Sequence, residues 1–245
     1  MEGMVYRTKK KKFIFWQSFF FIFIVLMAAY VLLQSPIFTI SKISVRGNNS
    51  LTAGELIKVS GIVTGMNIFK ADLQTAVEKV RVLPVVKDVS ITRKLPDNVI
   101  IEVEERVSVA LVVADGRFLE LDTEGYYLRE GSAAASGLPV ITGMPVQVAG
   151  PGQPVRGEGL KTALRVVQEL PAGLRKELSE VHIGKDGMVT LYTLDGIQCR
   201  LGLPEDVAVK GSYFLQVQQE LQDGHKSIEY VDFSYVGSPV VKYKD

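Results

Sequence analysis

The stretch VVKDVSITRKLPDNVIIEVEER, residues 85–106, ends in a cluster of charge: Glu102, Glu104, Glu105 and Arg106. Two carboxylates flanking one bond are the equipment of glycoside hydrolysis, one serving as acid and the other as nucleophile or base. That chemistry needs the pair to face a cleft from both sides. Glu102 and Glu104 stand two apart, so on a strand they project from one face. Val99, Ile101 and Val103 take the other face, which reads as the buried one. The acids are read as a solvated face balanced by nearby bases, and no catalytic residue is assigned among them.

The rest of the chain offers little further chemistry. His182 and His225 are the only histidines and Cys199 the only cysteine. His182 falls in an expected strand and His225 in a polar turn, so both read as structural or solvated. No HExxH pair, GxSxG elbow, SxxK motif, Walker A loop or GxGxxG run occurs. One cysteine excludes an internal disulfide framework and a cysteine-rich metal site. A net charge of +1 carries no nucleic-acid footprint. The expectation is a protein without enzymatic activity, cofactor or metal.

The elements begin with an uncharged run from Phe13 to Leu33, preceded by Arg7 and Lys9 to Lys12. As a helix this run is about 32 Å long, enough for a bilayer core of about 30 Å. Its exit, Tyr30 to Leu33, is too bulky for a signal-peptide cleavage site, so an uncleaved anchor in membrane lipid is expected over residues 13–33. Residues 1–12 hold five bases against one acid, and the remainder 23 bases against 26 acids. Positive residues stay inside, so residues 1–12 are expected to be a cytoplasmic tail with the rest outside.

Beyond Pro36 the pattern is strand, helix, helix, hairpin. Ile43 and Val45 share a strand face. Thr52 and Glu55 form a capping-box pattern, and Gly61 suits the end of that helix. Leu73, Ala76, Val77 and Val80 mark a second helix, closed by Pro84. The hairpin turns at Pro96-Asp97-Asn98, and a pairing of residue i with 194 − i sets Thr92 opposite Glu102 and Asp88 opposite Arg106. The expected unit spans 37–106. Residues 107–236 read as a mostly antiparallel β domain with flanking helices, one starting at Leu160 and one over about 205–221. Asp186-Gly187 and Asp195-Gly196 mark hairpins. The final strand is SIEYVDFSYV, and 237–245 reads as a loose tail. The fold class is α+β.

This ordered set resembles the bacterial cell-division family FtsQ/DivIB over nearly the whole chain. The residues that carry it are Val45-Arg46-Gly47-Asn48, Gly65-Met66-Asn67-Ile68-Phe69, Leu83-Pro84-Val85-Val86-Lys87, and Val89 through Asp97 followed by Glu102 to Arg106. In the second unit they are Leu121-Asp122, Glu124-Gly125, Leu138 to Gly143 and Tyr230 to Tyr235. The chain departs from it at Val85, where the family often has an aromatic, and near Leu111, where it often has another.

The resemblance implies a POTRA-type unit and a non-enzymatic divisome scaffold for septum formation. It also implies FtsL-type and FtsB/DivIC-type partners, bound by strand addition at the last strand. The partner-binding residues so implied are Tyr230, Val231, Phe233, Ser234 and Tyr235. The implied location is the plasma membrane at the division septum, as a single-pass protein. The alternatives are a POTRA-type docking module of an export or envelope-assembly system, and an anchored cell-wall enzyme.

Overall fold

The computed structural model describes residues 9–222, 228–234 and 239–244, with side chains from residue 16 to 220 of the first stretch. It is α+β, as expected. The first helix, α1, spans Lys9–Leu33 and is long and apolar enough to cross a membrane. The remaining order is β1 (Lys42–Arg46), α2 (Ala53–Ser60), α3 (Leu73–Arg81), β2 (Val86–Lys94), β3 (Asn98–Glu105), β4 (Ala110–Ala114), β5 (Arg117–Leu121), β6 (Tyr127–Gly131), α4 (Ala133–Ser136), β7 (Val140–Thr142), α5 (Leu160–Glu169), α6 (Ala172–Glu177), β8 (Leu178–Ile183), β9 (Val189–Thr193), β10 (Gln198–Gly202), α7 (Val207–Gln222), β11 (Ile228–Asp232) and β12 (Val240–Tyr243). By contact the chain divides into two units, one built from residues 1–81 with 88–104, the other from 82–87 with 105–245.

The first unit has a sheet ordered β1-β3-β2 and a pair of helices. Thr52 caps α2 through the expected box. Its hydroxyl accepts from the Glu55 N–H, and the Glu55 carboxylate accepts from the Thr52 N–H. Gly61 ends α2 in the left-handed region. The alternation in β3 sends Val99, Ile101 and Val103 inward, and they are buried, as are Leu56, Ile68 and Val80 of the same unit. Arg93 closes the unit by donating to the carbonyls of Ile68 and Ala71 at 2.8 and 2.7 Å. Those two carbonyls precede α3 and have no strand partner of their own, which gives the Thr92-Arg93-Lys94 run a structural purpose.

The second unit is a nine-stranded sheet ordered β12-β11-β10-β9-β8-β7-β4-β5-β6. Pairing is antiparallel except at β4–β7, β7–β8 and β10–β11, which are parallel. Parallel neighbours need a crossover, and helices α5 and α6 precede β8 while α7 links β10 to β11. Helix α5 buries Leu160, Ala163, Leu164 and Val167, the stripe its sequence shows. They join Leu121, Val181, Leu191, Leu201 and Phe214 in one core. The small residues Ala133–Ser136 form the short helix α4, and α6 buries Leu174.

Two expectations at the chain end change. The last segment is no loose tail, because Val240–Tyr243 pair with β11. The strand before it stops at Asp232, short of the SIEYVDFSYV run.

Gly47 is the residue that lets the chain leave β1. Its φ is +79°, and a Cβ there would sit well inside contact distance of the Val103 carbonyl oxygen. Gly47→Ala is expected to destabilise the first unit by on the order of 3 kcal/mol. Thermal unfolding and amide exchange in β1 and β3 check this.

Candidate partner-binding surface

The charged cluster at 102–106 separates into two environments. Glu102 stays on the exposed face and pairs with Arg46 at 3.4 Å, because parallel β1 sets Arg46 beside it. Asp88 pairs with Arg81 at 3.7 Å, not with Arg106 as the hairpin register suggested. Arg106 belongs instead to the second unit. Its side chain is only 11% exposed and binds Asp122, itself 5% exposed, and Glu124 at 2.7 Å. The guanidinium also lies 3.8 Å over the Tyr126 ring.

Asp122 is the hub of this network. One carboxylate oxygen accepts from Arg106 while the other accepts from the N–H groups of Glu124 and Tyr126 at 2.9 and 2.8 Å. Leu121-Asp122-Thr123-Glu124-Gly125 is thus a turn whose acid satisfies local backbone and a buried arginine together. Burial pulls the Arg106 pKa down, but hydrogen bonds to Glu124 and Asp122 more than offset this and leave it raised. The hydrogen bond from Arg106 holds the Glu124 carboxyl below its ordinary range.

No catalytic arrangement emerges from the residues singled out for it. Cys199 is fully buried in the core, and burial first, then Asp232, pushes its thiol pKa upward. His182 faces Thr142 across β7–β8, with Nδ1 2.8 Å from the Thr142 hydroxyl and 3.7 Å from Glu180. His225 lies outside the described residues. Among the described residues no group of three His, Cys, Asp or Glu could hold a metal ion.

The far end of the large sheet carries the residues expected to meet a partner. β10 pairs with β11 in parallel, Gln198 to Tyr230 and Arg200 to Asp232, and β12 pairs antiparallel to β11 on its other side. On one face Arg200 stacks 4.1 Å over the Tyr230 ring and sits 3.6 Å from Asp232. Lys242 reaches Glu229 at 2.8 Å and lies 5.8 Å from the Tyr230 ring. On the other face Val231 is buried against the core and Phe233 is half-buried there. Ser234 is exposed, its N–H bonded to Asp232 at 2.8 Å. Tyr235 lies outside the described residues. Ile228 is buried although parity groups it with Tyr230, because the register shifts between them.

The open edge therefore is not β11, which has a strand on each side. It is β12, last in the sheet order, with Val240 and Lys242 exposed. The four-residue VVKY run is too short to show period-2 alternation, so its strand character comes from pairing with β11.

These features define a class, a membrane-anchored protein with an α+β unit and a large sheet beyond a single apolar helix. The POTRA domain model of FtsQ type matches residues 38–106, and the model of the cell division protein FtsQ/DivIB C-terminal region matches residues 110–234. The chain is 27% identical over 239 residues to cell division protein DivIB of Geobacillus kaustophilus, covering 95% of this chain and 85% of that one. It is 30% identical over 223 residues to cell division protein FtsQ of Geotalea daltonii, covering 86% and 78%. The solved major extracytoplasmic domain of DivIB from Geobacillus stearothermophilus aligns over 49% of this chain and 97% of its own, with 21% identity and a TM-score of 0.35. The chain belongs to the FtsQ/DivIB family of bacterial cell division proteins.

Asp122→Ala leaves Arg106 buried without its more buried partner and is expected to cost on the order of 3 kcal/mol, read by denaturant unfolding. A carboxyl with a depressed folded pKa contributes stability that is present above its unfolded pKa of about 4.3 and lost as pH falls through the folded value. Glu124→Gln is therefore expected to lose less stability than the parent chain as pH falls from about 5 to about 3. Cys199 is expected to resist a thiol reagent in the folded chain and react only on unfolding.

Proposed function

We propose that this protein is a non-enzymatic divisome scaffold, anchored by α1 with its N-terminus cytoplasmic and both folded units outside, and concentrated at the division septum. It links early and late division proteins and binds FtsL-type and FtsB/DivIC-type single-span coiled-coil partners. The observation that carries this reading is the position of β12 at the end of the large sheet. An edge strand presents a row of backbone N–H and C=O groups, and an extended partner segment can satisfy them while alternate side chains select it. Lys242 and Tyr230 lie side by side on one face of this edge, and Arg200 holds the Tyr230 ring in place. Within the set Tyr230, Val231, Phe233, Ser234 and Tyr235, the proposal assigns contact to the Tyr230 ring and support to the buried Val231 and half-buried Phe233. It adds Val240 and Lys242 of β12. The family membership supports the division role, and the basic cluster before α1 supports the orientation.

Photocrosslinkers at Val240 and Lys242 are expected to trap a small single-span protein, with weaker capture at Tyr230. Crosslinks confined to other surfaces would sink the strand-addition proposal. Val240 and Lys242 turn their backbone groups to Asp232 and Tyr230 of β11, so the outward donor is the Val241 N–H. Val241→Pro removes it and is expected to weaken capture by about fivefold, the equivalent of one hydrogen bond of about 1 kcal/mol. A fluorescent fusion is expected at midcell in dividing cells, where uniform membrane fluorescence would favour an export or envelope-assembly role. Release of peptidoglycan fragments by the purified chain would return the cell-wall enzyme reading.

A further inference from the structure

The first unit carries an apolar patch at the end nearest the membrane helix. Ile37 is 60% exposed, Phe69 41% and Leu95 56%. Scattered exposed apolar residues are ordinary, but hydrogen bonds gather these three at one end. The Asn67 side-chain amide donates to the carbonyl of Leu33, the last residue of α1, at 2.8 Å. The Ile68 N–H donates to the Phe38 carbonyl and the Ile40 N–H to the Met66 carbonyl, both at 2.8 Å. The 65–69 turn is thereby stitched to the chain leaving the span, and the Phe38 and Phe69 rings lie 5.1 Å apart. The tip of the β2–β3 hairpin joins the same end, because the N–H groups of Ser41 and Lys42 both donate to the Asp97 carbonyl at 2.9 and 3.4 Å.

Consecutive Cα atoms are about 3.8 Å apart, so Phe69, two residues past Asn67, lies on the order of 10 Å from the end of α1. Lys70 and Lys94, both exposed, flank the patch. Aromatic and aliphatic side chains with lysines whose stems cover apolar surface are the composition of an interfacial anchor. The patch is also continuous along the chain with the apolar surface of α1, whose occupant is lipid.

We propose that the span-proximal end of the first unit, Ile37, Phe69 and Leu95 flanked by Lys70 and Lys94, seats in the headgroup layer of the membrane that α1 crosses. This rests on α1 being the anchor. The apolar groups enter the upper acyl boundary, and the two lysines meet anionic headgroups. The seating fixes how the first unit stands on the bilayer, beyond what one flexible exit segment would do.

The test uses the full chain in nanodiscs of phosphatidylethanolamine and phosphatidylglycerol, with and without lipids spin-labelled near the headgroup. Trp16 is the only tryptophan, so Trp16→Phe supplies a dark background for single reporters. Phe69→Trp and Ile37→Trp are expected to show blue-shifted emission and roughly twofold or more stronger quenching than Glu102→Trp, since an interfacial ring sits about 5–10 Å into the headgroup boundary. Glu102 is the reference because it pairs with Arg46, four residues along from the Lys42–Asn98 pair, about 13 Å further up the strands. Equal quenching at Phe69→Trp, Ile37→Trp and Glu102→Trp overturns the proposal and leaves that end to water or a protein partner. In the parent chain, Trp16 reports on the anchor alone. If Trp16 is quenched by the same labels while Phe69→Trp is silent, only the interfacial seating fails. If Trp16 is also silent, the anchor reading falls with it.

Discussion

A strand's backbone polar groups must be paired on both sides, covered or left to solvent, and in the second unit this requirement is met strand by strand along the sheet. β7 is held between β4 and β8, β11 between β10 and β12, and the row stops at β12. The helices follow from the same constraint. Parallel pairs cannot be closed by a tight turn, so α5, α6 and α7 carry the chain between them and supply the apolar stripe that buries one sheet face. At this end of the sheet the edge falls on β12, as it falls on β6 at the other. The proposed binding role draws on this edge and on side chains that orient what meets it.

Electrostatics act locally within this frame. Around Arg106, one nearly buried guanidinium is shared by Asp122, Glu124 and the face of Tyr126. A lone charge so buried would be costly, and the network offsets the cost by hydrogen-bonding both the charge and the turn that holds it. At the sheet end, Arg200 and Lys242 flank Tyr230 in more solvated surroundings. Exposed pairs of that kind contribute about 0–1 kcal/mol, so their effect is to orient the ring and not to hold the sheet together. The first cluster therefore stabilises the fold, whereas the second shapes a surface.

The first unit is small, and its order depends on side chains that reach the backbone of other segments. Arg93 reaches the turn before α3, Asn67 reaches the end of α1, and Gly47 lets the chain cross close over Val103. These are the residues that gave the unit its recognisable sequence marks, and each now has a contact that demands its type. A lysine at position 93 would lack the second arm that bonds both carbonyls. Any side chain at position 47 would strike a carbonyl oxygen.

Periodicity and local chemistry were enough to read much of this protein. The apolar run of α1, the capping box of α2, the stripe of α5 and the alternation of β3 all arise from near neighbours, so the sequence alone shows them. The same logic placed Glu102 on a wet face. Pairing across the sheet was not legible, because it depends on contacts between residues far apart in sequence. The tertiary structure decided that Arg106 joins Asp122 and not Asp88, and that a bulge turns Ile228 inward. It also decided that Val240–Tyr243, too short to show a period, becomes the strand that closes one side of β11 and opens the edge on the other.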